Sequence, residues 1–399
     1  MTQHGPLAGM TVIELAHIMA GPVCGLMLAD MGANVIKVEK PDGDDSRRFV
    51  PPAIEGEAAA YMMMNRNKRG IALNLKDPEA VGVLHRLLET ADVVIENYRM
   101  GTMERLGLGY ESLRQINPRL IYCEISGFGR TGPYAARGGF DLIAQGMSGL
   151  MSITGEGPGR PPVKTGAPVS DITSGILAAM GVSAAYARML QTGEGQKVDT
   201  SLFEAAITQT YWQSAIAFAT GIAPGPMGSA HPLNGPYQAF QTADGWINIG
   251  AANQRNWLRF LDVIGAAQLN DDPRFSSNHA RMQHLKDLEH ILGEYLRKEP
   301  SKVWLERMEA AGLPAGPVLD ILQMHADPQT LAREMVVTVE HPVAGKVETL
   351  GHPIKFSQTP ARIGRAAPTL GQHSREVLDE LGLPPEDIEK MISSGAVIG

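Results

Sequence analysis

The first third of the chain alternates short apolar runs with stretches of helical periodicity, and this alternation constrains the fold more than any other feature. Strand-like runs lie at residues 11–15, 34–38, 92–96 and 120–125. About twenty residues separate the first two runs, which fits a crossover helix between parallel strands. Asp77, Pro78 and Glu79 supply an N-cap, a first-turn proline and a first-turn acid for a helix that ends near Thr90. The pattern predicts an α/β fold whose parallel sheet is covered by helices.

Composition excludes several classes of protein. The chain has 399 residues and a formal net charge of −8, with 44% apolar and 20% charged residues. Such a chain can fill a large core, and it lacks the basic excess with which nucleic-acid binders neutralise phosphates. The two cysteines, Cys24 and Cys123, are too few for a disulfide scaffold or a zinc ribbon, and they favour a reducing compartment.

The sequence predicts neither export nor a membrane partner. The N-terminal segment lacks a basic region followed by a clean apolar region, so it does not resemble a signal peptide. The longest apolar stretch, residues 176–190, is interrupted by Gly, Ser and Arg and is too short to cross a bilayer. We therefore expect a cytoplasmic protein.

The middle of the chain predicts a buried helix and a second domain. Residues 171–190 are small and apolar on all sides, which predicts a helix that is buried all round. The segment 221–236 is rich in Gly and Pro and breaks all periodicity, as is typical of a linker or an active-site loop. The helical block that follows predicts a smaller second domain.

Familiar cofactor and metal motifs are weak or absent from the sequence. Residues 127–132 match GxGxxG and follow a strand, but Pro133 and the Gly138-Gly139 pair stand where a dinucleotide site needs a helix. A dehydrogenase is therefore disfavoured. The eleven histidines are scattered along the chain, so no metal site is predicted.

One acidic residue, Asp171, follows a Gly/Pro loop at the start of the apolar helix. One interpretation is an N-cap aspartate, which is the usual role of an acid at such a position. The other is a carboxylate nucleophile, because a helix N-terminus favours the ionised, nucleophilic form. Small residues at Gly175, Ala178 and Ala179 let a backbone or a ligand approach closely. The local sequence leaves both interpretations open.

Eight segments, taken in order, connect the chain to a known family. They are HIMAGP (17–22), GANVIKVEKPDGD (32–44), NRNKRGIALNLK (65–76), DVVIENYRMGTMERLG (92–107), NPRLIYCEISGFGRTGP (117–133), GAPVSDITSG (166–175), GEGQKVDTSLFEA (193–205) and APTLGQHSREVLDELGL (367–383). Over essentially its whole length the chain resembles the family III CoA-transferases, which include the formyl-CoA:oxalate and carnitine CoA-transferases. The resemblance implies that Asp171 is the nucleophile, forming an acyl-aspartyl anhydride and then an aspartyl–CoA thioester.

The resemblance also implies the substrates. CoA esters are substrates, no cofactor is permanently bound, and a small carboxylic acid accepts CoA. Succinyl-CoA and a dicarboxylic acid are our working assumption for donor and acceptor. The formyl-CoA enzymes carry Arg where Lys40 stands and Gln where Met19 stands, and their glycine-run loop is missing here. These departures argue against formyl-CoA or oxalate as substrates.

The family's CoA-binding positions map onto a set of named residues. By resemblance, Met19 and Ala20 line the nucleotide or pantetheine path. The positions near the CoA phosphates or adenine are Lys40, Lys76, Arg99 and Arg105, with Leu73, Asn97 and Tyr98 beside them. Arg137 and Phe140 are implied to lie close to the thioester end. For each Lys or Arg, a solvated surface charge is the alternative.

Two other functions stay open. The α-methylacyl-CoA racemases belong to the same superfamily, but they carry a histidine where Phe140 stands. Phenylalanine cannot shuttle a proton, so a racemase is disfavoured. From a different class, a catalytically inert homologue that only binds CoA is the second alternative.

The resemblance implies a particular division of the chain. A Rossmann-like large domain takes residues 1–200 and 344–399, and a smaller α+β domain takes residues 225–325. Residues 201–224 and 326–343 are the predicted linkers. Two chains are implied to interlock as linked rings in a homodimer. From the residues alone, only the α/β first part and the helical insert are predicted.

Overall fold

A computed structural model describes residues 4–399 of the chain. Residues 1–3 of the predicted large domain lie outside the described residues. The chain forms two compact units. The first unit contains the residues up to Ser148, Thr165–Gln209 and Pro328–Gly399; the second contains Gly149–Lys164 and Thr210–Asp327. The first unit therefore draws on both ends of the chain. Its bounds differ from the predicted ones, because residues 201–209 and 328–343 belong to the first unit and residues 149–164 to the second.

Seven strands build a large sheet in the first unit, and the other strands form smaller sheets. In chain order the strands are β1 Thr11–Glu14, β2 Asn34–Glu39, β3 Ala53–Ile54, β4 Glu57–Ala58, β5 Arg69–Leu73, β6 Val93–Glu96, β7 Ile121–Ser126, β8 Lys197–Ser201, β9 Tyr237–Gln241, β10 Trp246–Gly250, β11 Ala315–Pro317, β12 Val336–His341, β13 Gly345–Leu350 and β14 Val397–Ile398. The seven-stranded sheet has the order β14-β5-β2-β1-β6-β7-β8. All neighbours are parallel except β14 and β5, which confirms the predicted parallel sheet.

An apolar core packs on each face of the sheet. Val12 and Val35 are paired on β1 and β2 and belong to one core, whereas the next pair, Ile13 and Ile36, belongs to the core on the other face. Successive side chains of a strand point to opposite faces, so continuous apolar runs supply two cores at once. This is why the strand-like runs of the sequence are unbroken rather than alternating.

Helices cover both faces of the sheet. In chain order they are α1 Ala20–Asp30, α2 Ala59–Asn65, α3 Pro78–Thr90, α4 Thr102–Arg105, α5 Tyr110–Ile116, α6 Asp141–Met147, α7 Leu150–Ile153, α8 Val169–Thr192, α9 Leu202–Thr208, α10 Tyr211–Thr220, α11 Gln254–Ile264, α12 Asn278–Gln283, α13 Leu285–Leu296, α14 Ser301–Ala310, α15 Ile321–Ala326, α16 Pro328–Ala332, α17 Ser374–Glu380 and α18 Pro385–Ser394. Helices α1 and α8 pack on one face, and α3, α5, α17 and α18 on the other. Asp77 caps α3 as predicted, accepting the Glu79 N–H at 2.8 Å.

Helix α8 is less buried than its sequence predicts. Ala178 and Val182 lie in the core, but Ile176, Met180 and Leu190 are 48%, 63% and 61% exposed. The prediction of burial on all sides is wrong for the single chain, because only the side that packs on α1 and on the sheet is covered. In the described part of the chain, α8 is also the one helix whose length and composition would let it cross a membrane, a test that core helices of soluble proteins pass as well.

The order of the strands reverses direction at the centre of the large sheet. Strands β2 and β5 lie on one side of β1, and β6, β7 and β8 lie on the other. In sheets of this kind, ligands bind beyond the carboxyl ends of the strands at such a switch point. The segments that follow β1 and β6 are therefore where the fold itself favours a site.

The second unit has its own sheet and core. Strands β9, β10 and β11 form an antiparallel three-stranded sheet. Trp257, Phe260 and Leu292, from α11 and α13, are fully buried in its core. A turn joins β9 to β10, where the Thr242 N–H donates to the Gly245 carbonyl at 2.9 Å. An antiparallel sheet with helices is the α+β arrangement predicted for the smaller domain.

Candidate active site

Asp171 lies in the first turn of α8 and does not cap the helix. The helix begins at Val169, and the N-cap position is occupied by Pro168. The Ser170 N–H donates to Asp141 Oδ1 at 2.9 Å, and Asp141 Oδ2 accepts from Gln145 Nε2 at 2.7 Å. The N-cap interpretation of Asp171 is therefore wrong, because a carboxylate from the start of α6 satisfies the helix terminus instead.

The Asp171 carboxylate is half-buried and has no hydrogen-bond donor within residues 4–399. Burial raises the pKa of Asp171 to about 7, and the negative charge of Asp141 adds to the effect. A helix N-terminus alone would lower the pKa, but here the loss of water around the carboxylate outweighs it. At neutral pH the residue is balanced between its acid and its nucleophilic form.

Close packing of α8 on α1 brings Asp171 to the loop that follows β1. A Cβ added to Gly175 would lie 2.6 Å from the Ala20 carbonyl oxygen and 2.7 Å from Val23, so only glycine fits there. This confirms that small residues on α8 let a backbone approach closely. Gly127 and Gly139 make a similar contact, since a Cβ on Gly127 would lie 2.7 Å from the Gly139 Cα.

A cavity of about 500 Å³ lies beside Asp171; we name it the Asp171 cavity. Its wall comes from the residues that follow β1, β6 and β7 and from residues 135–140, which places it at the switch point of the sheet. The sequence-predicted residues in this wall are Met19, Ala20, Asn97, Tyr98, Arg99, Arg105, Arg137, Phe140 and Asp171.

A second cavity, of about 570 Å³, lies beyond the carboxyl ends of β2 and β5; we name it the Lys76 cavity. Its wall holds the remaining predicted residues, Lys40, Leu73 and Lys76. Tyr98 lines both cavities. The structure therefore brings every predicted residue to one of two cavities that share a tyrosine, and their CoA-binding roles stay predictions.

The basic residues predicted from the sequence are exposed in both cavities, but their partners differ. Lys40 Nζ pairs with Asp45 Oδ1 at 2.9 Å. The Arg137 guanidinium lies 4.0 Å from the centre of the Tyr134 ring. A cation that stacks on an aromatic ring keeps its N–H groups available for a phosphate or a carboxylate, whereas Lys40 must exchange an acidic partner for one.

Two of the predicted side chains in the wall of the Asp171 cavity, Phe140 and Tyr98, offer little acid–base chemistry at neutral pH. Phe140, which is 73% exposed, has no ionisable group. Burial raises the pKa of Tyr98 to about 12, so its phenol stays protonated at neutral pH. No group of three or more His, Cys, Asp and Glu side chains suited to a metal ion occurs among residues 4–399.

Sequence reasoning did not single out His17, Ile18, Asp45 or Arg130, which also line the Asp171 cavity. Asn97 fixes His17 from both sides: its Oδ1 accepts the His17 N–H at 3.0 Å, and its Nδ2 donates to the His17 carbonyl at 2.8 Å. Ile18 has a left-handed backbone, with φ 68°. The position of both residues directly after β1, at the switch point, was the available signal.

Comparisons with known proteins agree on one family. A family model described as CoA-transferase family III matches residues 7–374. The succinate–glutarate CoA-transferase of Agrobacterium fabrum is 43% identical over 383 residues, covering 94% of this chain and 96% of that protein. The human succinyl-CoA:glutarate CoA-transferase is 36% identical over 394 residues, covering 98% of this chain and 90% of that protein.

A solved structure gives the same result. The crystal structure of a CAIB/BAIF family protein from Brucella suis is similar to this chain with a TM-score of 0.85 and 39% identity. The similarity covers 95% of this chain and 100% of that one. Likeness in sequence and in fold, over almost the entire length, shows that this enzyme belongs to CoA-transferase family III.

Proposed function

We propose that the enzyme transfers CoA from succinyl-CoA to a small dicarboxylic acid, with Asp171 as the nucleophile. The observation that carries the proposal is the Asp171 carboxylate, which is half-buried, lies in the wall of a cavity of about 500 Å³ and has no hydrogen-bond donor within residues 4–399. The names of the Agrobacterium fabrum and human relatives contain succinate or succinyl-CoA together with glutarate, which supports dicarboxylic substrates.

The first half-reaction moves CoA onto the enzyme. An Asp171 oxygen attacks the thioester carbonyl carbon, the carbon–sulfur bond breaks, and CoA leaves as a thiolate. This step leaves a mixed anhydride between the donor acid and Asp171. The thiolate then attacks the Asp171 carbonyl carbon, the anhydride carbon–oxygen bond breaks, and the donor acid leaves as a carboxylate. Asp171 now holds CoA as a thioester.

The second half-reaction runs the same steps in reverse on the acceptor. The acceptor carboxylate attacks the Asp171 thioester carbonyl and expels the CoA thiolate. The thiolate attacks the acceptor's acyl carbon, which forms the product thioester and restores the Asp171 carboxylate. No proton or electron is consumed over the cycle, and covalent relay divides one difficult transfer into easier steps.

The surroundings of Asp171 suit this role. A carboxylate without hydrogen-bond donors is less stabilised than one in water, so its attack on a carbonyl requires little desolvation. Each attack creates an oxyanion that needs donors in place. Gly138 and Gly139 line the same cavity, and their backbone N–H groups are the donors we assign to the oxyanions.

We assign the two cavities to the two ends of the CoA molecule. The nucleotide end occupies the Lys76 cavity, where Lys40 and Lys76 meet its phosphates or adenine. The pantetheine arm passes Tyr98 into the Asp171 cavity, along Met19 and Ala20. The sharing of Tyr98 by both walls supports this path. The remaining predicted contacts are Leu73 in the first cavity and Asn97, Arg99, Arg105, Arg137 and Phe140 in the second.

A panel of acyl-CoA donors and carboxylic acids tests the substrate assignment, with product CoA esters identified by mass spectrometry. We expect succinyl-CoA with glutarate or a related dicarboxylic acid to give the highest turnover. Hydroxylamine added during incubation with the donor should convert Asp171 to a hydroxamate, since it traps aspartyl thioesters and anhydrides. Absence of CoA exchange with every dicarboxylic acid would refute the assignment.

The racemase alternative makes a different prediction. A racemase removes and returns the proton at carbon 2 of a 2-methylacyl-CoA, and Phe140 supplies no group for that step. In heavy water without any carboxylate acceptor, we expect no deuterium to enter carbon 2. Rapid incorporation there would favour the racemase over the transferase.

We also propose an interlocked homodimer that acts in the cytoplasm without a permanently bound cofactor. The exposed apolar side chains of Ile176, Met180 and Leu190 on α8 support a second copy as their cover. Linked rings separate only if a domain unfolds, so dimers should persist in sedimentation at nanomolar concentration. A folded, active monomer on dilution would exclude interlocking.

A further inference from the structure

A network of buried charges lies next to the loop that lines the Asp171 cavity. Lys37 is fully buried, and its Nζ lies 3.0 Å from Glu14 Oε1, 2.9 Å from Asp44 Oδ2 and 2.9 Å from the Ala16 carbonyl oxygen. Burial alone would lower the pKa of Lys37, but the charges of Glu14 and Asp44 outweigh burial and raise it. The lysine therefore stays charged, although none of these groups takes part in the transfer steps proposed above.

Asp44 uses both of its oxygens to hold the turn after β1. The Ile18 N–H donates to Asp44 Oδ1 at 3.1 Å and to Oδ2 at 3.2 Å. Asp44 is itself held in place, because Oδ1 accepts from the Ser46 N–H at 2.9 Å and from the Ser46 hydroxyl at 2.8 Å. Lys37 fixes the other oxygen. The carboxylate is thus a rigid acceptor for the Ile18 amide.

Ile18 has a conformation that needs such support. Its φ of 68° lies in the left-handed region, which is costly for a β-branched residue. Conformations of this kind persist only where the surroundings enforce them, and they cluster at functional sites. Asp44 holds the Ile18 amide and Asn97 holds both backbone groups of His17, so the two residues are fixed in tandem. Both line the same cavity as Asp171.

We infer that Asp44, fixed by Lys37, is a positioning residue for CoA transfer: it holds Ile18 in the left-handed conformation and thereby sets the wall of the Asp171 cavity. Without it, Ile18 relaxes to a negative φ, which turns the peptide groups on either side of it. The walls of the cavity then no longer match the thioester. The inference rests on the function proposed for that cavity.

The first test compares two buried carboxylates. Asp44→Asn removes one of the two carboxylates that pair with Lys37 and weakens the hold on Ile18. Asp30→Asn is the matched control, since Asp30 is also fully buried and pairs with Arg66 at 2.6 Å, but no hydrogen bond or ion pair joins Asp30 to residues 17–19. We expect kcat/KM for the acyl-CoA donor to fall about 10- to 100-fold in Asp44→Asn, the scale of a small misplacement of the reacting groups. In Asp30→Asn we expect kcat/KM to stay within about twofold of wild type.

The second test asks whether backbone conformation is the cause. Glycine adopts a left-handed φ without the penalty that isoleucine meets. Ile18→Gly should therefore restore much of the activity that Asp44→Asn removes, and the two substitutions should be coupled in a double-mutant cycle. A merely structural role of Asp44 predicts no rescue, because glycine at position 18 adds no stability to the buried charges.

The third test does not depend on activity. Hydrogen exchange of a peptide that covers residues 15–19 should be faster in Asp44→Asn than in wild type, and unchanged in Asp30→Asn. Equal kinetic losses in the two variants, or no rescue by Ile18→Gly, would overturn the inference. A wild-type enzyme without CoA transfer would refute the proposed function instead, and the exchange data would still decide whether Asp44 holds the loop.

Discussion

Two aspartates of the first unit lie near the Asp171 cavity, and their surroundings shift the pKa of the carboxyl group in opposite directions. At the start of α8, Asp171 has no hydrogen-bond donor within residues 4–399, and burial raises its pKa to about 7. In the turn after β2, Asp44 is also buried, but Lys37 and Ser46 outweigh burial and hold its pKa far below the ordinary value. Donors, rather than depth, decide whether a buried carboxylate is stable or reactive.

The largest effect on activity is expected from substitution of Asp171. Asp171→Ala removes the oxygen that attacks in the proposed mechanism, so CoA transfer should fall by at least about 1,000-fold, the scale of a lost covalent nucleophile. Circular dichroism and thermal unfolding should be close to those of wild type, because the carboxylate makes no hydrogen bond that the fold requires. Near-normal turnover in this variant would show that another group is the nucleophile.

At Asp44 the expected effect is on stability. Asp44→Asn should lower the free energy of unfolding by about 3–5 kcal/mol, the scale of breaking a buried ion pair. The folded pKa of Asp44 is depressed, so its contribution is present above the unfolded pKa and is lost only as the pH falls through the folded value. Urea unfolding should therefore show a constant deficit between about pH 5 and 9.

A neighbour two residues away provides the control for that measurement. Asp42 pairs with Arg48, but its side chain is 64% exposed. Asp42→Asn should cost less than about 1 kcal/mol, as exposed ion pairs do. If the two substitutions lower the free energy of unfolding equally, burial does not strengthen the Asp44–Lys37 pair.

The opposite sign is expected for Asp171→Asn. The folded pKa of Asp171 lies above its unfolded value, so wild type loses stability as the pH rises from about 4 to about 7, whereas the asparagine variant does not. The variant should be more stable by about 1–2 kcal/mol at pH 8, after allowance for partial solvent screening. The difference should shrink as the pH falls toward the unfolded pKa of about 4. Urea unfolding at several pH values measures it, and a less stable variant at pH 8 would contradict the role of burial.

The smallest expected effect concerns the pH dependence of the rate. In the proposed mechanism Asp171 attacks as a carboxylate, so kcat/KM should rise with pH through about 7. Asp141→Asn removes a neighbouring negative charge while it keeps an oxygen that can accept the Ser170 N–H, so the rise should move to lower pH. Asp42→Asn should leave the midpoint in place. An unmoved midpoint in Asp141→Asn would mean that Asp141 does not influence the nucleophile.

Local patterns predicted the sheet and the helices that cover it, because both depend on residues close in sequence. The cap of α3 by Asp77 and the parallel pairing of β1 with β2 follow directly from such patterns. Burial of α8 could not be predicted in the same way. An all-apolar helix indicates that something covers it, but the sequence does not say whether the cover belongs to the same chain.

The candidate site shows the same limit. Family resemblance singled out Asp171 as the candidate nucleophile, and every residue predicted to contact CoA lines one of two cavities. The cap that Asp141 provides for α8 joins residues 29 positions apart, and the hold of Asp44 on Ile18 spans 26 positions. Long-range hydrogen bonds of this kind have no local signal, so the N-cap interpretation of Asp171 and the conformation of Ile18 depended on the folded chain.

The pairing of β14 with β5 has a consequence for how the enzyme is made. Val397 lies opposite Leu73, so the edge of β5 is closed by residues that leave the ribosome long after it. The second unit, in contrast, has all of its strands once residue 327 has been synthesised. At that point the nascent chain contains the complete second unit, but the large sheet still lacks β14. The open edge of β5 can then pair with other chains. We therefore expect the exposed edge of β5 to be most open to pairing with other chains until the last segment has been translated.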